Sequence, residues 1–87
     1  MLNRRRHDPR EAYTREISDQ IAKSMALAGA FAEHARELRL AREVCAGRGW
    51  IVDRIEAALE VAVEHTDFHL DEIRACRKKL NRVGVAR

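Results

Sequence analysis

The four residues AGRG, at positions 46–49, decide how this chain folds, because they hold its strongest helix break. Between Arg10 and Ala46 there is no proline and little β-branching, and apolar residues recur every three or four positions. Either glycine of AGRG can take the left-handed conformation that ends a helix. Two long helices joined by such a tight turn must lie antiparallel. The sequence therefore predicts an all-α helical hairpin, with a helix over 9–46, a turn at 47–49 and a helix over 50–82.

Capping signals mark where each predicted helix begins. Asp8 followed by Pro9 is a favoured N-cap and first-turn pair, so the first helix should begin there. The second helix should begin either near Trp50 or at Asp53, where DRIE (53–56) offers a capping box. Both helices then continue without another strong break.

The domain organisation follows from these two helices. We expect one helical domain over 9–83, a basic flexible N-terminal tail at 1–8 and a short C-terminal tail at 84–87. Gly29 is a local weak point in the first helix, because glycine costs about 1 kcal/mol relative to alanine there. Thr66 is the corresponding weak point in the second helix.

Apolar residues repeat every seven positions along both predicted helices, which is the spacing of a helix–helix seam. Folding back at the turn pairs residues whose numbers sum to about 97, at the spacing of an antiparallel hairpin. This register sets Leu38 near Leu59 and Phe31 near Thr66. Small residues thereby face larger ones, which predicts close packing of the two helices.

A second apolar strip flanks the seam. Met25 and Ala32 of the first helix should share one side with Val63 and Leu70 of the second. A chain of 87 residues has a marginal core if it folds alone, and exposed contiguous apolar surface usually marks an interface. We therefore predict either a homodimer that forms a four-helix bundle or a hairpin that docks helices of another protein.

Two further apolar residues, Val61 and Phe68, lie one heptad apart and point away from the seam. Single exposed apolar residues are normal, but a pair of them is a candidate contact site. The predicted partner-binding residues are Met25, Val61, Val63, Phe68 and Leu70.

Charge is distributed unevenly. Residues 1–15 and 74–87 meet at one end of the hairpin with 11 basic and two acidic residues, whereas 16–73 hold six basic and 12 acidic residues. Such a basic pole is suited to phosphate binding. The alternative interpretation is a solvated N-terminal tail, together with cations that stabilise the negative end of the second helix's dipole. A helix-turn-helix over 41–59 fits poorly, because its recognition helix would turn acidic residues towards phosphates. The alternative nucleic-acid-binding residues are Arg4, Arg5, Arg6, Arg77, Lys78, Lys79 and Arg82.

The stretch VEHTDFHLDE, at 63–72, raises the question of a metal or catalytic site. His65 and Glu72 should lie at the solvent edge, where His34 joins them, and histidines at such spacing can bind Zn²⁺. His69 should instead point into the seam beside Thr66 as a polar layer that fixes the register. No nucleophile stands beside a base and no phosphate cradle follows a strand, so we predict no enzyme activity, no cofactor and no metal.

The function predicted from these features is that of a small non-enzymatic regulatory or adaptor protein. It would bind another protein through its helical faces, as an antiactivator-type inhibitor binds a transcriptional regulator. The alternatives are a nucleic-acid-associated helical dimer and an assembly component of a phage or secretion system. No apolar run is long enough to span a membrane, there is no secretion signal and no Cys-x-x-Cys, and arginine outnumbers lysine 14 to 3. A cytoplasmic bacterial protein without a membrane partner is therefore expected.

Overall fold

A computed structural model of the chain describes residues 8–85, and in it two long helices pack against each other as an antiparallel hairpin. Helix α1 spans Pro9–Val44 and helix α2 spans Gly49–Val85. No strand occurs in the described residues. The predicted all-α helical hairpin is confirmed, and its assembly into a four-helix bundle stays a prediction.

Helix α1 begins where its capping pair predicts. The Asp8 carboxylate accepts a hydrogen bond from the Arg10 backbone N–H at 2.9 Å, and Pro9 occupies the first helical position. The Asp8 carbonyl accepts the first helical bond, from Ala12. The carboxylate contact satisfies one backbone N–H that a helix start would leave unpaired, and Pro9 has no N–H to satisfy, so the N-terminus is fixed locally.

The turn differs from its prediction in position and in mechanism. Helix α1 ends at Val44 instead of Ala46, and the Arg48 N–H donates to the Cys45 carbonyl at 2.9 Å to close a β-turn. None of the four glycines, all of which lie within 8–85, has a positive φ. The chain therefore reverses without the left-handed glycine that the sequence suggested.

The start of helix α2 is also earlier than predicted. The Arg48 carbonyl accepts hydrogen bonds from the backbone N–H groups of Ile51 and Val52, both at 3.0 Å, so the helix begins at Gly49. Asp53 already lies inside the helix and is exposed, so it is not the N-cap. The tight turn sets the helical geometry before the chain reaches the predicted capping box.

Helix α2 runs further than predicted at its other end. It continues through Gly84 to Val85, whereas the sequence predicted a helix end at residue 82 and a C-terminal tail at 84–87. Glycine is unfavourable in a helix but does not exclude one, and helix α2 extends from its preceding turns through Gly84. Helix α1 is continuous through Gly29 and helix α2 through Thr66. The predicted N-terminal tail, apart from Asp8, lies outside the described residues.

The seam between the helices follows the predicted register. Ser24 bonds to Glu72, the rings of Phe31 and His65 lie 4.7 Å apart, and Arg42 lies 3.7 Å from Glu56. The residue numbers in these pairs sum to 96 or 98, close to the expected 97. The most buried positions are mostly small, which lets the helices approach closely. They are Ile17, Ser24, Ala28, Ala35, Ala62, Ile73 and Cys76.

The hairpin is a single layer of two helices. Its principal extents are 70 × 27 × 13 Å and its radius of gyration is 20.1 Å. A compact domain of this length would have a radius of about 12 Å. Each helix buries one stripe against one neighbour, so both broad faces of the layer stay open to a partner. Neither helix, over the residues described, combines the length and apolar character needed to cross a membrane.

Candidate functional site

One broad face of the hairpin carries an apolar groove between the two helices. Its volume is about 400 Å³. Its floor is built from small or buried residues, and Met25 and Leu70 form its walls with 52% and 38% of their surface exposed. Groove is used below for the cavity lined by Met25, Ala28, Gly29, Ala32, Thr66, Leu70, Ile73 and Arg77.

The groove continues towards the turn as a smaller depression of about 220 Å³. Val63 lies in that depression beside Ala32, Arg39 and Asp67, and 36% of its surface is exposed. The structure therefore brings Met25, Val63 and Leu70 together on one face, as the seven-residue spacing predicts. The charged residues that line this surface are Arg39, Asp67 and Arg77, and its other lining residues are apolar or small, which is the composition of a protein contact.

The opposite face carries Phe68 and Val61, with 59% and 51% of their surfaces exposed. Phe68 and Leu70 are two residues apart, so they point about 200° apart around helix α2. Phe68 lines a depression of about 330 Å³ with Glu64, His65 and His69. We call Val61, His65 and Phe68 the outer patch.

An aromatic cluster supports the outer patch from below. The Phe31 ring lies 4.7 Å from the His65 ring and stacks on the His69 ring at 5.9 Å. The Phe68 and His69 rings are inclined at 75° to each other, with their centroids 5.2 Å apart. Phe68 is therefore held by a neighbour instead of pointing freely into solvent. Sequence reasoning missed this cluster, although the register sum of 97 already places Phe31 beside residues 65 and 66.

A chain of polar side chains crosses the seam next to this cluster. Gln20 donates to the Ser24 hydroxyl at 3.1 Å, and Ser24, which is fully buried, donates to Glu72 Oε1 at 3.1 Å. His69 Nδ1 lies 3.0 Å from the same Glu72 oxygen. Together these bonds hold Glu72 against the seam, and they satisfy the buried hydroxyl at little cost.

This network corrects two expectations about the histidines. Glu72 pairs with His69 instead of joining His65 and His34 at the solvent edge. Thr66 donates to the Ala62 carbonyl of its own helix at 2.8 Å, so it forms no polar layer with His69. Sites of three or more His, Cys, Asp or Glu side chains suited to a metal ion are absent from residues 8–85.

The contacts of Glu72 make part of the stability depend on pH. The His69 hydrogen bond, with smaller help from Ser24 and from the charge of His69, lowers the pKa of Glu72 below its usual 4.5 against the opposing effect of burial. A carboxylate whose pKa is depressed by folding stabilises the fold above its unfolded pKa, and this contribution is lost as pH falls through the folded pKa. We expect the melting temperature of Glu72→Gln to lie below that of the original protein at pH 6, and the gap to shrink steadily towards about pH 3.

A matched control separates this effect from general acid denaturation. Glu64 is an exposed glutamate of the same helix, and it makes no hydrogen bond or ion pair with the part of the chain that the structure describes. The melting temperature of Glu64→Gln should stay close to that of the original protein across the same pH range. A gap for Glu72→Gln that does not change with pH would contradict the assigned role of the His69 and Ser24 contacts.

The basic pole is only partly described. Arg77, Lys78, Lys79 and Arg82 are exposed in the last turns of helix α2, while Arg4, Arg5 and Arg6 lie outside residues 8–85. Arg77 also closes one end of the groove. Nearby, Arg74 is already paired with Asp71 at 2.6 Å. The described cations of the pole therefore form a short patch at the end of helix α2, and Arg10 and Arg15 are exposed at the same end of helix α1.

Comparison with known proteins identifies no relative of this chain. No family model matches the chain, and no curated protein or solved structure matches it significantly. The chemistry of the groove, the outer patch and the polar network therefore rests on this chain's own residues.

Proposed function

We propose that this chain is a small non-enzymatic regulatory or adaptor protein that binds another protein through the open faces of its two helices. The observation that carries the proposal is the pair of exposed apolar surfaces, the groove and the outer patch, on opposite sides of a layer only 13 Å thick. A single-layer hairpin cannot cover either surface itself, and contiguous exposed apolar surface marks a contact site.

The shape of the groove favours a helical partner. Small residues at Ala28, Gly29 and Ala32 leave room between the walls formed by Met25 and Leu70. An amphipathic helix with apolar residues at every third or fourth position fits such a surface by laying its apolar face along it. An inhibitor that covers a helix of a transcriptional regulator, as an antiactivator does, is the form of this function that suits the size of the hairpin.

The polar side chains also favour a binding role over catalysis. The hydroxyl of Ser24 lies at the centre of the one extended side-chain network in the described residues, and it is fully buried. A substrate cannot reach it without separating the helices. The exposed carboxylates and histidines lack the nucleophile and base pairing that covalent chemistry requires. The proposal therefore includes neither a catalytic residue nor a cofactor.

Affinity capture from the source cell tests the proposed function. The original protein should retain a specific protein, and Leu70→Glu in the groove or Phe68→Ala in the outer patch should reduce its retention by roughly tenfold or more, as expected for a buried anchor. Leu40→Ala removes another exposed apolar side chain, which lies outside both surfaces and has 58% of its surface exposed, and should leave retention unchanged. Retention that is insensitive to both variants would reject the proposal.

A second candidate function is binding of nucleic acid through the basic pole. It is favoured by the four exposed cations Arg77, Lys78, Lys79 and Arg82 within six residues of helix α2. Tyr13 of helix α1, with 43% of its surface exposed, lines a depression with Lys79. A single ring gives little stacking surface, so binding would be mainly electrostatic and salt-dependent. A mobility shift with mixed-sequence RNA at low salt tests it, and no shift there rejects it.

A further inference from the structure

Four residues of helix α2 follow one another at heptad spacing along the edge of the groove. In chain order they are Glu56, Val63, Leu70 and Arg77. Leu70 and Arg77 line the groove, and Val63 lines its continuation towards the turn. We call these four residues the column. It has an acidic residue at the end nearest the turn, two apolar residues in the middle and a basic residue at its other end.

This order is self-complementary when the column is reversed. If a second copy of helix α2 crosses antiparallel, about a two-fold axis between Val63 and Leu70, then Glu56 meets Arg77 of the second copy. Val63 meets Leu70 in the same way. A two-fold interface requires this reciprocity, in which residue i contacts residue j and j contacts i.

We infer that the occupant of the groove is a second copy of this chain, bound face to face with the two hairpins pointing in opposite directions. This inference deepens the proposed function, since it rests on the groove being a protein-binding surface. It also leaves the outer patch, on the far face of each hairpin, for a different protein. Helix α1 fits the arrangement because Gly29 and Ala32 lie near the axis, where a methyl group added at Gly29 would meet open space.

The charges favour this orientation over the one with both turns at the same end. The same-end arrangement would set Arg39 near Glu56 of the second copy, which is attractive. It would also bring together the C-terminal segments of both copies, each with five cations and no acid over 74–82. The opposite-end arrangement separates the centres of these segments by about 35 Å, at 1.5 Å per residue, and gives Arg77 a carboxylate. In the described residues Arg77 makes no ion pair, and Glu56 has only the partly exposed Arg42 at 3.7 Å.

A charge-reversal cycle tests the inference. Sedimentation equilibrium at low ionic strength should show the original protein as a dimer. Either Glu56→Lys or Arg77→Glu should raise the dimer Kd by about tenfold, because the two-fold axis turns two attractive pairs into two repulsive ones. The double variant should return to within about threefold of the original Kd, because both pairs are restored with their signs exchanged. Glu64→Lys, on the opposite face, is the matched control and should leave the Kd unchanged.

A distance between the two turns gives a second measurement that does not depend on weakened binding. With Cys76→Ala, spin labels on Cys45 of the two copies should lie about 45 Å apart, at 1.5 Å per residue along the helices. The same-end arrangement predicts less than about 25 Å, the width of two packed helices.

A monomeric protein, a double variant without recovery, or the short distance would each overturn the inference. None of these outcomes touches the proposed function, whose own failure appears as partner capture that is insensitive to Phe68→Ala and Leu70→Glu. Circular dichroism of each variant confirms that the hairpin is folded before the Kd is compared.

Discussion

Replacing Ile73 with alanine should destabilise the hairpin by about 2–5 kcal/mol, the usual cost of deleting a large buried aliphatic side chain. Ile73 is 6% exposed, and within residues 8–84 it and Ile17 are the two large aliphatic residues among the most buried positions. At roughly 0.05–0.15 kcal/mol per residue, a domain of this size has only a few to about a dozen kcal/mol in total. Urea denaturation monitored by circular dichroism measures the loss.

Leu40→Ala is the matched control for Ile73→Ala. It also removes branched apolar carbon from a helix, but 58% of the Leu40 surface is exposed, so its cost should stay within about 0.5 kcal/mol. Both variants must be compared with the original protein at one concentration, since association stabilises a fold by mass action. Equal effects for the two variants would mean that Ile73 does not lie in the seam.

The heptad spacing predicted the parts of the fold that depend on average position along a helix. It placed the seam, set the register near a sum of 97, and put Met25, Val63 and Leu70 on one side. The structure has all three features, since Ala62 and Ile73 are buried in the seam and the pairs that contact across it sum to 96 or 98. The role of these residues in binding stays a prediction.

The turn could not be predicted in detail because several local solutions compete there. The sequence is compatible with a left-handed glycine that ends the first helix and with a capping box at Asp53 that begins the second. The chain instead closes a β-turn from Cys45 to Arg48 with ordinary φ values. Such choices differ by small energies, so the sequence pattern does not decide among them.

Which side chains pair at the edge of the seam depends on their rotamers, and the heptad spacing does not determine those rotamers. Glu72 is seven residues from His65 and three from His69, and neighbours on a helix surface lie three or four residues apart. That rule already favoured the His69 contact that the structure shows. The Ser24 contact also agrees with the register, since 24 and 72 sum to 96, but the spacing does not show which seam residues form a hydrogen bond across it.

The smallest side chains of the seam should be the least tolerant of enlargement. Ala62 is 2% exposed, and the register places it level with Ala35, which is 3% exposed, so the two helices approach closely there. Ala62→Leu inserts three carbon atoms between the helices, and overpacking of this kind costs about 1–3 kcal/mol. The melting temperature should fall by roughly 4–8 °C for each kcal/mol lost in a domain of this size.

Ala57→Leu makes the same substitution on the same helix at an exposed position. Alanine and leucine are both strong helix formers, so any change in intrinsic helix propensity is small and common to both variants. The cost of Ala57→Leu should therefore remain within about 0.5 kcal/mol, and the difference between the two variants isolates the steric term. If Ala62→Leu proved no more destabilising than Ala57→Leu, the helices could not be in close contact at residue 62. The predicted difference should persist in high salt, because it arises from excluded volume and not from the charges that surround the seam.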